Sequence, residues 1–120
     1  MKIVISSQGK ELDSQVDPRF GRGSWFIVVD TESGAFQAVD NTPNLNLAQG
    51  AGIQAAETVS RLGAEAVMTG NCGPKAFRTL SAAGIKVFSG IEGTVREAVE
   101  RFKAGALTAS ESHDVEGHWS

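Results

Sequence analysis

The 120-residue sequence predicts a single α/β domain built on a mixed five-stranded sheet, in the order βββαβαβα. Two observations carry this prediction. The first third of the chain contains short segments rich in β-branched residues, in which apolar and polar residues alternate as in strands. In the rest of the chain, segments with apolar residues spaced three apart, as in helices, are separated by short apolar runs that indicate strands. A glycine also follows each of the three helical segments, as is typical of helix ends. Alternating strands and helices form a parallel sheet covered on both faces, and a leading hairpin adds antiparallel strands.

The first three strands are predicted from short β-branched runs. Residues 2–6 (KIVIS) form the first strand, which ends in small polar residues. Residues 25–30 (WFIVVD) form the second, and residues 35–40 (AFQAVD) alternate well enough to be its hairpin partner. Gly34 supplies the positive φ that the turn requires. The first half is therefore predicted to be an antiparallel unit.

The second half is predicted to contain three helices and two strands. The first helix is indicated by a spacing of three and ends at Gly63; its inward residues are Ile53, Ala56, Val59 and Leu62. A strand at 64–70 follows, then a helix that begins at Pro74 and ends at Gly84, then a strand at 85–90. Thr94 and Glu97 form a capping box for the third helix, which ends at Gly105.

The end of the chain shows no periodicity. Residues 107–120 are therefore predicted to be a flexible tail, and residues 1–106 a single α/β domain. His113 and His118 in this tail, with neighbouring carboxylates, could bind a transition metal weakly or could simply be solvated.

Composition excludes several classes of protein. A net charge of −3 argues against a broad nucleic-acid-binding face, and no apolar run reaches the length of a membrane span. The single cysteine and the absence of a secretory signal lead us to expect a cytoplasmic location. We expect a monomer because no long apolar stripe is left over.

Three loops are expected to meet at the carboxyl edge of the sheet. They are residues 6–23, residues 69–75 (TGNCGPK) and residues 89–94 (SGIEGT), all rich in glycine and small polar residues. Ligands in open α/β sheets usually bind at this edge. The backbone N–H groups of such loops, with the N-terminus of the helix that begins at Pro74, suit an anion.

Two stretches hold the candidate site residues. The Arg19-Phe20-Gly21-Arg22 turn suits an anion with a soft surface, or it is a core phenylalanine between solvated arginines. Cys72, beside a helix N-terminus and close to Lys75, could be an activated thiolate or metal ligand, or a small buried filler. The expected contacts are Arg19, Phe20, Gly21, Arg22, Asn71, Cys72, Gly73 and Lys75, with Cys72 as the one candidate metal ligand.

Several activities lack their signature. One cysteine cannot supply the four ligands of an ordinary iron–sulfur cluster. Neither a dinucleotide-binding glycine motif nor a Walker A motif is present, and both histidines lie in the tail, away from any nucleophile. The sequence therefore does not support catalysis.

The chain resembles the dinitrogenase iron–molybdenum cofactor biosynthesis family over residues 1–106. The resemblance rests on KIVIS, on VDPRFGRGSWFIVVD (16–30), on GAGIQAAETVSRLGAEAVMTGNCGPKAFRTLSAAGIKVF (50–88) and on the helix after GIEGTVREAV. It implies a ribonuclease H-like three-layer fold. It also implies a non-covalently held molybdenum–copper sulfide cluster, with an iron–molybdenum cofactor precursor or an iron–sulfur cluster as alternatives.

Two departures limit what is carried over. Many family members have histidine where this chain has Arg19, so only electrostatic binding is expected from that position. The first strand carries Ser6 and Ser7 rather than aspartate, which argues against a nuclease metal site.

The favoured hypothesis is a non-enzymatic carrier of an anionic metal–sulfide cluster, with an acceptor protein as a candidate partner. The alternatives are a thiol-dependent redox or transfer enzyme that uses Cys72, and a regulatory domain that binds a partner protein.

Overall fold

A computed structural model describes residues 1–41 and 50–110 of the chain. The strands are β1 (Lys2–Ser7), β2 (Trp25–Asp30), β3 (Phe36–Asp40), β4 (Ala66–Met68) and β5 (Lys86–Phe88). The helices are α1 (Ala51–Arg61), α2 (Pro74–Ala82) and α3 (Val95–Lys103). The order along the chain is βββαβαβα, which confirms the prediction.

The five strands form one mixed sheet in the order β3-β2-β1-β4-β5. β2 runs antiparallel to both β1 and β3, whereas β4 and β5 run parallel to β1. On the central strand, Val4 pairs with Val28 on one side and Val67 on the other. This is the ribonuclease H-like arrangement expected from the resemblance.

The sheet separates two apolar clusters, which makes the fold three-layered. One cluster joins α1 and α2 to the sheet through residues such as Val4, Ala55 and Leu80. The other joins α3 to the opposite face through residues such as Ile5 and Val95. We call the two sides the α1/α2 face and the α3 face. Adjacent residues on β1 therefore point into different clusters, as strand geometry requires.

The helix boundaries follow the predicted signals. Pro74 begins α2, and the capping box of α3 is complete: the Glu97 N–H donates to Thr94 Oγ1, and the Thr94 N–H donates to Glu97 Oε1. β4 and β5 are each shorter than the apolar runs that predicted them, at three residues. The ends of those runs lie outside the strands, although the Thr69 N–H still donates to the Phe88 carbonyl at 3.0 Å.

The first residues of the predicted tail lie against the domain. Leu107 and Ala109 pack on the α3-face cluster, and the Ser110 N–H donates to the Val87 carbonyl at 2.7 Å. The boundary at residue 106 stays a prediction, and His113 and His118 lie outside the described residues. In the two described ranges, no helix is both long and apolar enough to cross a membrane.

Candidate functional site

A cavity of about 400 Å³ lies at the carboxyl edge of the sheet, on the α1/α2 face. Three segments line it: the turn after β1, the start of α1, and the segment that leads from β4 into α2. The lining residues are Arg19, Phe20, Gly21, Arg22, Gly50, Ala51, Gly52, Ile53, Asn71, Gly73, Pro74, Lys75 and Ala76. Seven of the eight residues expected from the sequence are among them.

The third loop, residues 89–94, meets the other two at the carboxyl edge, as expected: the Gly90 N–H donates to the Gly70 carbonyl at 2.8 Å, and the Ile91 N–H donates to the Thr69 carbonyl at 3.1 Å. It does not line this cavity. It supports the first loop instead, since the Gly93 carbonyl accepts the Val16 N–H at 2.9 Å and Thr94 bridges to Gln15. The physical reason is that this loop leads into α3, which packs on the opposite face of the sheet.

The first loop is held firmly against β1 and the β4–α2 segment. The Ser6 hydroxyl donates to the Asp17 carbonyl at 2.8 Å, and the Asp17 N–H donates to the Ser6 carbonyl at 2.8 Å. The Phe20 N–H donates to the Asn71 carbonyl at 3.2 Å, and the Asn71 side-chain amide donates to the Pro18 carbonyl at 3.1 Å. The two predicted site segments are therefore hydrogen-bonded to each other.

Glycines allow the backbones around the cavity to approach closely. A Cβ on Gly21 would lie 2.9 Å from both the Cα and the N of Gly52, in the first turn of α1. A Cβ on Gly70 would lie 2.6 Å from the Pro18 Cα. Any larger residue would push the first loop away from its neighbours, so these glycines define the shape of the cavity.

Phe20 anchors the loop from inside. Its side chain is 2% exposed, and its ring centroid lies 5.6 Å from that of Phe26 in the α1/α2-face cluster. Part of the same residue lines the cavity. Phe20 is therefore both a core residue and a cavity wall, while Arg19 is exposed and Arg22 is half-buried.

Two helices begin at the cavity without a side-chain cap. The N-cap residues of α1 and α2 are Gly50 and Gly73, and neither helix has an acidic residue in its first turn. Among residues 1–41 and 50–110, no side chain caps either helix. The first N–H groups of a helix have no acceptor within the helix, and the N-terminus carries a partial positive charge. Both helix starts therefore present hydrogen-bond donors to a ligand in the cavity.

The charged side chains at the cavity are all cationic. Arg19, Arg22 and Lys75 line it, and no carboxylate is among the described lining residues. This is a positive site on a chain whose net charge is −3. Because an anion is attracted both by full charges and by helix N-termini, the cavity is suited to a negatively charged ligand.

Cys72 lies on the core side of its segment. Its side chain is completely buried in the α1/α2-face cluster, and it is the one expected site residue that does not line the cavity. Its neighbours Asn71 and Gly73 do line it. This burial agrees with the packing interpretation. A nucleophile or metal-ligand role stays a prediction that requires the thiol to reach the cavity.

Sequence reasoning missed the contribution of α1. Residues 50–53 form part of the cavity wall, although only their glycines distinguish them locally. The signal was the Gly50-Ala51-Gly52 stretch immediately before a helical period, which is typical of a helix start that a ligand or another backbone approaches. In residues 1–41 and 50–110, no three His, Cys, Asp or Glu side chains form a group that could hold a metal ion.

Comparisons with known proteins agree with this architecture. Residues 1–105 match the family described as dinitrogenase iron–molybdenum cofactor. The apo orange protein from Desulfovibrio gigas is 44% identical with a TM-score of 0.93, and the match covers 95% of this chain and 96% of that one. A Thermotoga protein of the DUF35 family, solved by NMR, is 40% identical with a TM-score of 0.83 and coverage of 97% and 98%. An uncharacterized Methanocaldococcus jannaschii protein is 29% identical, with 89% of each chain covered. The chain belongs to the dinitrogenase iron–molybdenum cofactor family.

Proposed function

We propose that this protein binds and carries an anionic metal–sulfide cluster, held without covalent ligands in the cavity between the first loop and the starts of α1 and α2. The observation that carries the proposal is the combination of two uncapped helix N-termini with three cationic side chains and no lining carboxylate among the described residues. Membership of a family described by the iron–molybdenum cofactor supports the same class of ligand.

The cavity offers complementary surfaces for such a ligand. Helix N–H groups and guanidinium groups can donate hydrogen bonds to sulfide and neutralise its charge. Phe20, Ile53 and Pro74 add apolar wall area, which suits polarizable sulfur better than a strongly hydrated oxyanion. A volume of about 400 Å³ fits a small polynuclear cluster and is far larger than a bare metal ion needs.

Within this proposal, each side chain has a defined role. Arg19, Arg22 and Lys75 neutralise the cluster, and the first amides of α1 and α2 donate to its sulfides. Cys72 packs in the core and is not a required ligand. The family resemblance favours a molybdenum–copper sulfide cluster, with an iron–molybdenum cofactor precursor or an iron–sulfur cluster as the alternatives.

The test is reconstitution of the purified protein with tetrathiomolybdate and a copper salt, followed by desalting, an absorption spectrum and metal analysis. We expect a retained visible chromophore with molybdenum and copper in a fixed ratio to protein. Parallel samples receive molybdate with copper, or iron with sulfide. Retention of iron and sulfide alone would shift the proposal to an iron-containing cluster, and a colourless, metal-free protein in every sample would overturn it.

The variant Cys72→Ser tests whether the thiol is needed for cluster binding. If the thiol only packs, we expect the variant to retain the chromophore, with at most a partial loss of affinity. Complete loss of the chromophore in a variant that still unfolds cooperatively would make the thiol a ligand. A thiol-alkylation profile against pH checks the enzyme alternative directly, because an activated thiolate reacts well below about pH 8.5.

A further inference from the structure

Asp17 is a buried carboxylate beside a cavity that otherwise presents only positive charge. The residue is 4% exposed and does not line the cavity. Its Oδ1 accepts the Arg19 N–H at 2.8 Å and lies 3.7 Å from the Arg19 Nε. Its backbone is hydrogen-bonded to Ser6 on both sides, so the carboxylate is held in place from β1.

A negative charge at this position opposes anion binding, because like charges repel across the short distance to the cavity. Its presence therefore calls for another role. The Arg19 side chain is 66% exposed, and a long exposed side chain loses considerable rotamer freedom when a ligand fixes it. At 3.7 Å, the contact of Asp17 with the Arg19 Nε is an ion pair and not a hydrogen bond, so the planar guanidinium keeps its donors available to a ligand.

We propose that Asp17 is a positioning residue for the anion site: it holds the Arg19 turn through the backbone N–H and biases the guanidinium toward the cavity through Nε, without touching the ligand. This inference rests on the proposed function. It assigns a role to the Asp17-Pro18-Arg19 stretch beyond supplying a cation.

Two charge-matched variants separate positioning from charge. Asp17→Asn and Asp17→Ala both remove one negative charge, but only asparagine keeps an acceptor oxygen for the Arg19 groups. We expect Asp17→Asn to bind the tetrathiomolybdate–copper cluster at least as tightly as the wild type, and Asp17→Ala to bind about fivefold more weakly than Asp17→Asn. Equal affinities in the two variants would overturn the proposal.

Asp13 provides the matched control. It forms a surface ion pair with Arg96 at 2.9 Å, outside the cavity, and its side chain is 77% exposed. Asp13→Asn and Asp13→Ala make the same charge changes on the same loop, and we expect their cluster affinities to agree within about twofold. A fivefold difference within this control pair would mean that the Asp17 difference is not specific to Arg19.

Arg19→Lys tests the role of Nε and does not depend on Asp17→Ala folding. Lysine keeps the charge and the backbone N–H but lacks the planar fork. We expect Arg19→Lys to bind the cluster about fivefold more weakly than the wild type. In the double variant with Asp17→Asn, we expect the N–H of residue 19 to keep its hydrogen bond to the side-chain oxygen of residue 17. Unchanged affinity in Arg19→Lys would remove the side-chain half of the proposal.

A measurement on the ligand-free protein distinguishes failure of this inference from failure of the proposed function. Amide hydrogen exchange at the Arg19 N–H should be protected in the wild type and in Asp17→Asn, and faster in Asp17→Ala. If the wild type binds no cluster, the proposed function fails, and this exchange comparison still decides whether Asp17 holds the turn. Identical exchange in all three proteins would overturn the positioning role.

Discussion

The N-terminus of α3 differs from the N-termini of α1 and α2 in how its donors are used. At α3 the capping box is complete, and the next N–H groups are also occupied: Val95 donates to the Ser14 carbonyl at 2.9 Å and Arg96 to the Leu12 carbonyl at 2.8 Å. At α1 and α2 the caps are glycines without a side-chain hydrogen bond. One helix start is therefore closed by the fold, whereas the other two have no cap among the side chains that the structure describes.

The first loop contributes to both arrangements. Its early part, around residues 12–14, supplies the carbonyls that close α3 on one side of the sheet. Its later part, residues 19–22, faces the open starts of α1 and α2 on the other side. A glycine N-cap forgoes roughly a few tenths of a kcal/mol of stability relative to serine, asparagine or aspartate. The comparison teaches that α3 has the stabilising side-chain cap that the two helices at the cavity lack.

The largest expected effect comes from removing the three cationic side chains that line the cavity. The combined variant Arg19→Gln, Arg22→Gln and Lys75→Gln should lose about 100-fold or more in cluster affinity, because each charge-assisted contact contributes to binding. The charge-matched control is Arg61→Gln, Lys86→Gln and Lys103→Gln, three exposed cations outside the cavity. Titrations monitored by absorbance measure both. Comparable losses in the two variants would mean that overall charge, not the cavity, attracts the ligand.

Gly21→Ala tests the close packing of the first loop against the start of α1 at the cavity. Its new methyl group would lie 2.9 Å from the Gly52 backbone, so the loop must shift, and we expect a loss of about 1–3 kcal/mol in the free energy of unfolding together with weaker binding. Gly73→Ala is the control, since its new methyl group would have no atom of the described residues within 4 Å and its φ is −72°. Denaturant unfolding of both variants checks this, and equal stabilities would refute the close-packing argument.

Adding a capping side chain at the start of α2 should raise stability but weaken cluster binding. Gly73 has an extended conformation with space for a side chain, so Gly73→Asp can cap α2. We expect roughly a few tenths of a kcal/mol of added stability and about tenfold weaker cluster binding, because the carboxylate competes for the same N–H groups and repels the anion. Gly73→Asn gives a cap without the charge and should weaken binding less. Tighter cluster binding in Gly73→Asp would contradict an anion site at α2.

The smallest effect concerns the closed start of α3. The hydrogen bond from the Thr94 N–H, followed by the one from its hydroxyl, lowers the pKa of Glu97 below its ordinary value. The stabilisation from a carboxylate with a lowered pKa is present above the ordinary pKa and is lost as pH falls through the lowered one. We expect Glu97→Gln, which keeps a capping box, to lose less thermal stability than the wild type between pH 7 and about pH 3. Cluster affinity at pH 7 should be unchanged, and a marked loss of it would link α3 to the cavity.

Much of the lining of the cavity was predictable because its residues carry local signals. The Arg19-Phe20-Gly21-Arg22 turn and the segment around Gly73 and Lys75 stand out by charge and glycine content, and both line the cavity. The start of α1 was missed because its role depends on Gly21 approaching Gly52, a contact between residues far apart in sequence. Residues 89–94 meet the other two loops as predicted, but they do not line the cavity because they lead to α3 on the other face.

The sequence by itself determined the elements: strand alternation, helix spacing, the Thr94–Glu97 box and the glycines that end helices are interactions within a few residues, and they appear in the structure at or near the predicted positions. Tertiary structure alone decided which loops meet and which way Cys72 points. Those outcomes depend on the face of the sheet that each crossover takes and on backbone contacts across the fold. A residue pattern cannot specify such contacts, because they form between segments that are distant along the chain.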